Sequence, residues 1–191
     1  EGLKCCKNEA VARMDSDDIA CKDRCEKQLR VLEEGIDIVS GTVVEFEKDI
    51  LHCKAKRTLP LSKEEILKFA GRRNPFNHPC VMYRKEAVEK AGGYQHFYLF
   101  EDYYLWARML LLGVEARNLP DTLLYMRAGT GMYKRRGGWK YVKSMLHFRL
   151  FLWKSGLSSF LDFVVCAGGQ MMICLIPNRL RELFYKKFLR K

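Results

Sequence analysis

The stretch EAVARMDSDDIA, residues 9–20, constrains the fold more than any other part of the chain. Residues 10–14 are typical of a short β-strand, and they lead directly into Asp15, Asp17 and Asp18. Three carboxylates this close in sequence repel one another unless a positive charge lies between them. In an open α/β sheet, ligands bind at the ends of the strands. The stretch therefore predicts an α/β fold with a ligand site at the end of this strand.

The spacing of these carboxylates suits several metal-binding sites. Their hard oxygen ligands favour Mg²⁺ or Mn²⁺ held against a substrate phosphate. A DxD element that holds such an ion against a diphosphate fits without exception. A haloacid-dehalogenase-like, metal-dependent phosphatase expects Thr or Val where Ile19 stands, and an EF-hand loop expects Gly where Ala20 stands. Because Asp is also a good helix cap, a polar turn without a ligand is the alternative.

A second acidic pair, Glu101 and Asp102, opens a predicted amphipathic helix that ends at Gly113. A group transfer to a hydroxyl needs a carboxylate that takes the hydroxyl proton as the bond forms. A helix N-terminus favours the ionised form of such a carboxylate. Asp102 is therefore a candidate general base, with Glu101 beside it. The alternative is that both residues only stabilise the first turn of the helix.

Three further side chains are candidates for holding a substrate. His78 lies between Asn77 and Pro79 and precedes a predicted strand, so we regard it as an acceptor-site candidate. A histidine in such a place is more often a loop or core residue with satisfied hydrogen bonds. Trp106 and Tyr103 are placed to stack on a sugar, although such rings more often pack in the core.

The net charge of +11 lies entirely in the C-terminal third of the chain. Residues 134–191 hold 13 of the 34 lysines and arginines but only two of the 23 acidic residues, whereas residues 1–133 hold 21 of each. We therefore divide the chain into 1–133 and a basic, aromatic tail, 134–191. The tail predicts an anionic partner: membrane lipid head groups, a lipid diphosphate or nucleic acid. A module that binds anions or nucleic acid without catalysis is thus a second functional hypothesis.

The tail contains predicted helices that begin near Trp139, Phe160 and residue 178. The apolar run 160–176 is shorter than the ~20 residues of a membrane-spanning helix and contains polar residues, so it predicts an interfacial or core helix. Residues 178–191 combine Leu and Phe with Lys and Arg in a pattern typical of helices on a membrane surface. We therefore expect an anionic membrane surface, and not nucleic acid, as the partner of the tail.

The remaining elements follow from periodicity and turn residues. Helices are predicted at 22–34, at 62–71 and from residue 85 to Gly92, and Ser62 and Glu65 form a capping box. Strands are predicted at 36–46 with a break at Gly41, at 80–84, at 114–118 and at 123–127, and a polar loop at 47–60. The eight cysteines form no CxxC pair, and no signal-peptide pattern opens the sequence, so we expect a reduced, cytosolic protein without zinc.

Four segments follow one another in the chain: RMDSDDIA, NPFNHPCVMYRKEAV, GGY with EDYYLWARML, and NLPDTLLYMR. Their order and separation resemble family 2 glycosyltransferases of the GT-A fold. The closest likeness is to bacterial exopolysaccharide and capsule transferases of the amylovoran-biosynthesis type, and it covers nearly the whole chain. The resemblance implies an α/β fold, a truncated Rossmann-like GT-A domain without its N-terminal nucleotide-binding βα units, followed by C-terminal amphipathic helices.

The resemblance also implies transfer from a nucleotide-diphosphate-sugar donor with inversion at the anomeric carbon. It assigns the DxD motif to Asp15 and Asp17, extended by Asp18, with Mg²⁺ or Mn²⁺ against the donor diphosphate. It assigns the general base to Asp102, beside Glu101. The chain has no QxxRW motif of processive synthases, which favours single-sugar transfer. We therefore expect an inverting glycosyltransferase, peripheral on the cytoplasmic face of the plasma membrane, with a lipid-linked saccharide acceptor.

Overall fold

The computed structural model describes residues 2–47, 49–51, 53–128 and 138–175, which form a mixed sheet flanked by helices. The strands are β1 (Ala10–Ala12), β2 (Ile19–Ala20), β3 (Ile38–Phe46), β4 (Cys53–Arg57), β5 (Met82–Arg84) and β6 (Ala116–Arg127). The helices are α1 (Gly2–Cys5), α2 (Arg24–Glu33), α3 (Lys63–Ala70), α4 (Lys85–Lys90), α5 (Glu101–Leu111), α6 (Trp139–Lys154) and α7 (Phe160–Leu175), and a 3₁₀ turn spans His78–Cys80.

Strand β3 is the centre of the sheet. The strand order is β1-β5-β3-β6-β2, and β4 pairs with β3 outside this path. Among the described strands, β3 and β6 form the one parallel pair. The apolar, β-branched residues Ile38, Val39 and Val43 are fully buried, as expected of a strand with neighbours on both edges. The strand predicted at 36–46 is thus confirmed.

A bulge joins the two C-terminal strands that the sequence predicted on either side of Pro120. The pairing of β6 with β3 shifts twice, between Gly41 and Thr42 and between Thr42 and Val43, so that Pro120, Asp121 and Leu123 are extra residues within one continuous strand. A Cβ atom at residue 41 would lie 2.5 Å from Leu123 Cδ1, so the glycine leaves room for the Leu123 side chain. The break predicted at Gly41 is therefore the site of the bulge, and β3 does not end there.

Local signals predicted the helices better than the short strands. The capping box that opens α3 is present, since Ser62 Oγ accepts from Glu65 N at 3.3 Å and Glu65 Oε2 accepts from Ser62 N at 3.2 Å. The loop predicted at 47–60 was wrong in part, because it contains β4, a polar strand paired only with β3. The strand predicted from residue 80 begins at Met82, since Cys80 is still part of the 3₁₀ turn that spans His78–Cys80.

Helix α5 is packed on both of its long faces. Leu105, Trp106 and Met109 point into the core between α5 and the sheet, and all three are fully buried. On the opposite face of α5, the ring of Tyr103 contacts that of Phe148 in α6, with 4.6 Å between the two centroids. Leu112 is 60% exposed because the helix has already ended at Leu111. The two packed faces fix the position of the helix start, where Asp102 lies.

Helices α6 and α7 form where the tail predicts them. The predicted domain boundary at 133/134 and the predicted helix at 178–191 lie outside the described residues. Within the described part of the chain, every helix is too short or too polar to cross a bilayer.

Candidate active site

The predicted acidic cluster lies in the turn between β1 and β2. The Arg13 guanidinium donates two hydrogen bonds to the Asp15 carboxylate, at 2.9 and 2.5 Å. The Asp15 carbonyl oxygen accepts from Asp18 N at 3.3 Å, which closes the turn. Asp17 is exposed, and its carboxylate has no partner among the described residues. Arg13 thus supplies part of the positive charge that three neighbouring carboxylates require.

Asp18 connects this turn to the end of β6. Its Oδ1 accepts from the backbone N–H of Arg127 at 2.8 Å, while its buried Oδ2 has no hydrogen-bond partner in the described residues. Burial raises the pKa of the Asp18 carboxyl, and the charges of Asp15 and Asp17 raise it further, against the lowering effect of the Arg127 N–H. A buried carboxylate oxygen without a donor is a position that a cation would stabilise.

The donor chemistry of the turn fits a hard divalent ion, although no complete metal centre is assembled. No group of three or more His, Cys, Asp or Glu side chains in the described ranges is arranged to hold a metal. Asp17 and the free oxygen of Asp18 are nevertheless available carboxylate ligands of the kind that Mg²⁺ and Mn²⁺ prefer, and these ions usually complete their shell with water and substrate phosphate. Asp15 would have to share its carboxylate with Arg13.

Asp102 is held in one orientation at the start of α5. The Asn74 side-chain amide donates to Asp102 Oδ2 at 2.9 Å, and the Tyr103 backbone N–H donates to Oδ1 at 2.7 Å. Leu99, three residues earlier, has a φ of 60°, a left-handed conformation that costs energy for a leucine. Glu101 is exposed. Asp102 is therefore the positioned carboxylate of the pair.

His78 brings the two acidic sites together. Its Nε2 lies 3.2 Å from the Tyr94 hydroxyl. Burial lowers the pKa of His78, and the charge of Asp102 opposes this effect most strongly. Arg13 and Asp15 also act on the imidazole, so it lies within electrostatic reach of both acidic groups. The sequence predicted His78 in the site region as an acceptor candidate, and in the fold the charges of both predicted acidic sites act on its imidazole.

The predicted sugar-stacking rings are in the core. Trp106 is fully buried, with ring centroids 6.0 Å from His78 and 6.2 Å from Tyr94, so its indole supports these two rings from beneath and does not meet a substrate. Tyr103 is also buried, and its hydroxyl donates to Ala70 O at 2.6 Å. The exposed ring at the site is Tyr94, which is 40% exposed. Glycines 92 and 93 before it were the only sequence signal of this turn.

Two buried polar residues of α2 hold the site's backbone in place. Arg24 donates to Arg13 O at 2.7 Å and to Val81 O at 3.3 Å, although it is only 2% exposed. Gln28 donates to Cys80 O at 2.8 Å and accepts from Arg24 Nε at 2.9 Å. These bonds connect the turn after β1 to the segment that carries His78. Sequence reasoning missed them because they join residues distant in the chain.

Comparisons with known proteins identify the family of the chain. The pattern described as "Glycosyl transferase family 2" matches residues 1–92, which include the acidic turn and His78. The amylovoran biosynthesis glycosyltransferase AmsE of Erwinia amylovora is 40% identical over 193 residues, covering 97% of this chain and 70% of that protein. The UDP-Gal:alpha-D-GlcNAc-diphosphoundecaprenol beta-1,3-galactosyltransferase of Escherichia coli is 35% identical over 192 residues, covering 100% and 70%.

The fold is similar to that of a solved glycosyltransferase. The mannosyltransferase PcManGT from Pyrobaculum calidifontis, determined with GDP-Man and Mn²⁺, superposes with a TM-score of 0.53 at 15% identity. The match covers 94% of this chain and 49% of that structure, so the chain spans about half of its length. The predicted GT-A type of α/β fold is confirmed, as is the resemblance found in the sequence. The chain therefore belongs to glycosyltransferase family 2, among the enzymes of bacterial polysaccharide biosynthesis.

Proposed function

We propose that this chain transfers a single sugar from a nucleotide-diphosphate sugar to a saccharide acceptor, with inversion at the anomeric carbon and Asp102 as the general base. The observation that supports this is that contacts connect the segment carrying His78 to both acidic sites. The His78 ring lies 6.0 Å from that of Trp106, one helical turn after Asp102, and Val81, three residues after His78, accepts from Arg13 N at 2.9 Å. A transferred sugar has to lie between the donor diphosphate and the base, so these contacts favour a single site. Family membership favours this function over a phosphatase or a non-catalytic module.

The proposed reaction is a direct displacement at the anomeric carbon. The acceptor hydroxyl oxygen attacks the anomeric carbon, the bond from that carbon to the diphosphate breaks, and Asp102 takes the hydroxyl proton. Asn74 keeps Oδ2 of Asp102 oriented during this transfer. Because burial lowers the pKa of His78, the neutral imidazole is available to hydrogen-bond a sugar hydroxyl. The exposed ring of Tyr94 would form the wall of the acceptor site.

Asp17 and Asp18, together with Asp15, would hold the divalent ion. When bound, Mg²⁺ or Mn²⁺ neutralises the charge of the departing nucleotide diphosphate. The carboxylates would orient the ion. The pKa of Asp18 is raised mainly by burial and further by the charges of Asp15 and Asp17, and a bound cation would offset both effects. Arg13 donates two hydrogen bonds to the Asp15 carboxylate, and these bonds would keep the turn closed while the ion exchanges.

The experiment that tests this function is a transfer assay with the whole chain. Nucleotide-diphosphate sugars are offered with lipid-linked saccharide acceptors, and the anomeric configuration of the product is read by NMR. We expect inverted product only, and we expect both a chelator and the substitution Asp17→Asn to suppress its formation. Retained configuration, or transfer that persists undiminished in excess chelator, would contradict the proposed mechanism.

The acceptor is proposed to be lipid-linked and presented at an anionic membrane surface. The name of the E. coli relative describes a saccharide carried on diphosphoundecaprenol. In this chain, α7 exposes a row of apolar side chains at helical spacing, with 48–69% of each accessible. The row consists of Phe160, Leu161, Val164, Val165 and Met172. An apolar helix face beside a basic tail is typical of proteins that lie at the surface of a membrane on its cytoplasmic side.

Replacing one residue of this row should weaken binding to the membrane. Because Leu161 is 69% exposed, Leu161→Asp removes apolar area and adds a charge without disturbing the core. We expect about a tenfold lower affinity for anionic vesicles in flotation assays. The matched control is Leu112→Asp, which makes the same change at a 60% exposed leucine after α5. Equal losses from both variants, or none from Leu161→Asp, would show that α7 does not touch the bilayer.

A further inference from the structure

The first half of α6 borders two adjoining cavities that the proposed mechanism does not use. The first has a volume of about 270 Å³ and lies between α6 and the loop that precedes α5. The second, of about 330 Å³, continues along α6 and shares Lys143 and His147 with the first. Both are open to solvent, so a ligand reaches them without a conformational change.

The first cavity is basic. Lys140, Lys143 and His147 of α6 line it together with His96 of the loop, and none of its lining residues in the described part of the chain is acidic. Helix α6 itself contains no Asp or Glu. Lys140 Nζ lies 4.3 Å from the centroid of the Tyr98 ring, and neither lysine has a carboxylate partner among the described residues. Positive side chains gathered in a concavity without counter-charges are complementary to a phosphate or diphosphate.

The second cavity is apolar. Trp139, Val142 and Leu146 supply most of its surface, and Trp139 is 79% exposed. An exposed tryptophan beside such a cavity can pack against a hydrocarbon chain. A soluble phosphate compound would occupy only the first cavity, whereas a diphosphate carried on a lipid would fill both.

The two cavities lie next to the catalytic helix. The loop residue Tyr98 accepts a hydrogen bond from Ser144 Oγ of α6 at 2.8 Å, which ties the loop to the helix. The same loop runs into α5, so Asp102 follows Tyr98 by four residues. Phe100 stacks on Tyr141 and on Phe148 of α6, with centroids 5.6 and 4.9 Å away. A diphosphate in the first cavity is therefore held on the elements that also fix the base.

We propose that these cavities bind the diphosphate and the adjoining hydrocarbon of the lipid-linked acceptor, with Lys140 and Lys143 contacting the diphosphate. This inference rests on the proposed function. It names the residues that recognise the lipid diphosphate of the acceptor. Trp139 and Leu146 contact the first part of the lipid chain. The saccharide, attached to the other end of the diphosphate, extends toward His78 and Asp102.

Steady-state kinetics of the full chain test the assignment. Lys140→Gln/Lys143→Gln is compared with wild type on one saccharide presented in two forms, as a lipid diphosphate and as an alkyl glycoside. We expect the double variant to raise KM for the lipid diphosphate at least tenfold and to leave KM for the alkyl glycoside and the donor unchanged. The control Lys68→Gln/Lys154→Gln makes the same charge change at exposed lysines elsewhere. An equal effect on both acceptors, or in the control, overturns the proposal.

A binding measurement separates failure of this site from failure of the proposed function. Vesicles containing a polyprenyl diphosphate are compared with vesicles of phosphatidylglycerol at equal surface charge, and no sugar transfer is needed. We expect wild type to prefer the diphosphate vesicles and the double variant to lose this preference. Trp139→Ser should weaken binding to the same vesicles without changing the affinity for inorganic pyrophosphate. Equal binding of wild type to both vesicles would indicate a general anionic surface and would overturn the site.

Discussion

Replacing Asp102 by asparagine should lower the rate of sugar transfer about 10²–10⁴-fold while leaving donor affinity unchanged. The amide cannot accept the hydroxyl proton, but it has nearly the same shape. Its one oxygen can still accept a hydrogen bond from Asn74, which donates to Oδ2 of Asp102 at 2.9 Å. The lower rate therefore reflects lost stabilisation of the transition state, and not a change in folding or in donor binding. The turnover number and the donor dissociation constant of the full chain are the measurements.

The matched control for this prediction is Glu101→Gln. Glu101 precedes Asp102 on α5 and carries the same charge, but it is exposed, whereas Asp102 is half-buried and hydrogen-bonded. Because both variants lose one negative charge at the same helix end, their effects on the interaction with the helix dipole match. We expect less than about a threefold change in rate for Glu101→Gln. If Glu101→Gln had the larger effect, the base would be Glu101.

The sequence predicted the elements whose signals are local. The capping box of Ser62 and Glu65 involves residues three apart, so the start of α3 was predictable without knowledge of the fold. The same holds for α5, which begins at Glu101 and ends before Gly113. Strand β4 was missed because its sequence, CKAKR, lacks the apolar alternation of a half-buried strand.

Contacts that hold the site were not predictable, because they join residues far apart in the chain. The hydrogen bond from Asn74 to Asp102 joins residues 28 positions apart in the sequence, and the one from the Arg127 backbone to Asp18 joins residues 109 positions apart. The sequence identified the acidic residues by their spacing, but which of them would be paired depended on the packing of β6 and α2. His78 was a candidate because of its place in the sequence, but its hydrogen-bond contact with the Tyr94 hydroxyl could be seen only in the structure.

Trp106 shows where composition and position mislead. An aromatic residue one helical turn after a candidate base is a natural place for a sugar-stacking ring. In the fold, that turn of α5 faces the sheet, and the indole has ring contacts with Phe76, His78, Tyr83 and Tyr94. The direction of the helix face is decided by the whole core, which no single motif reveals.

Replacing Trp106 by alanine should therefore destabilise the protein by about 3–5 kcal/mol, as expected for the loss of a fully buried aromatic ring. Trp106→Phe should cost less, about 1–2 kcal/mol, because the buried indole N–H has no hydrogen-bond partner among the described residues and only volume is lost. Urea unfolding of the three proteins measures both values, with the slope of each transition checked for two-state behaviour.

The unfolding free energies separate the core role of Trp106 from a role in binding. A surface ring that stacks on the acceptor would, when removed, raise the acceptor KM and leave the free energy of unfolding almost unchanged. A ring beneath His78 and Tyr94 lowers the free energy of unfolding first, and any rise in KM follows from the displaced imidazole and phenol rings above it. Wild-type stability in Trp106→Ala, together with a weakened acceptor, would place the indole at the surface and would contradict the aromatic cluster that supports the site.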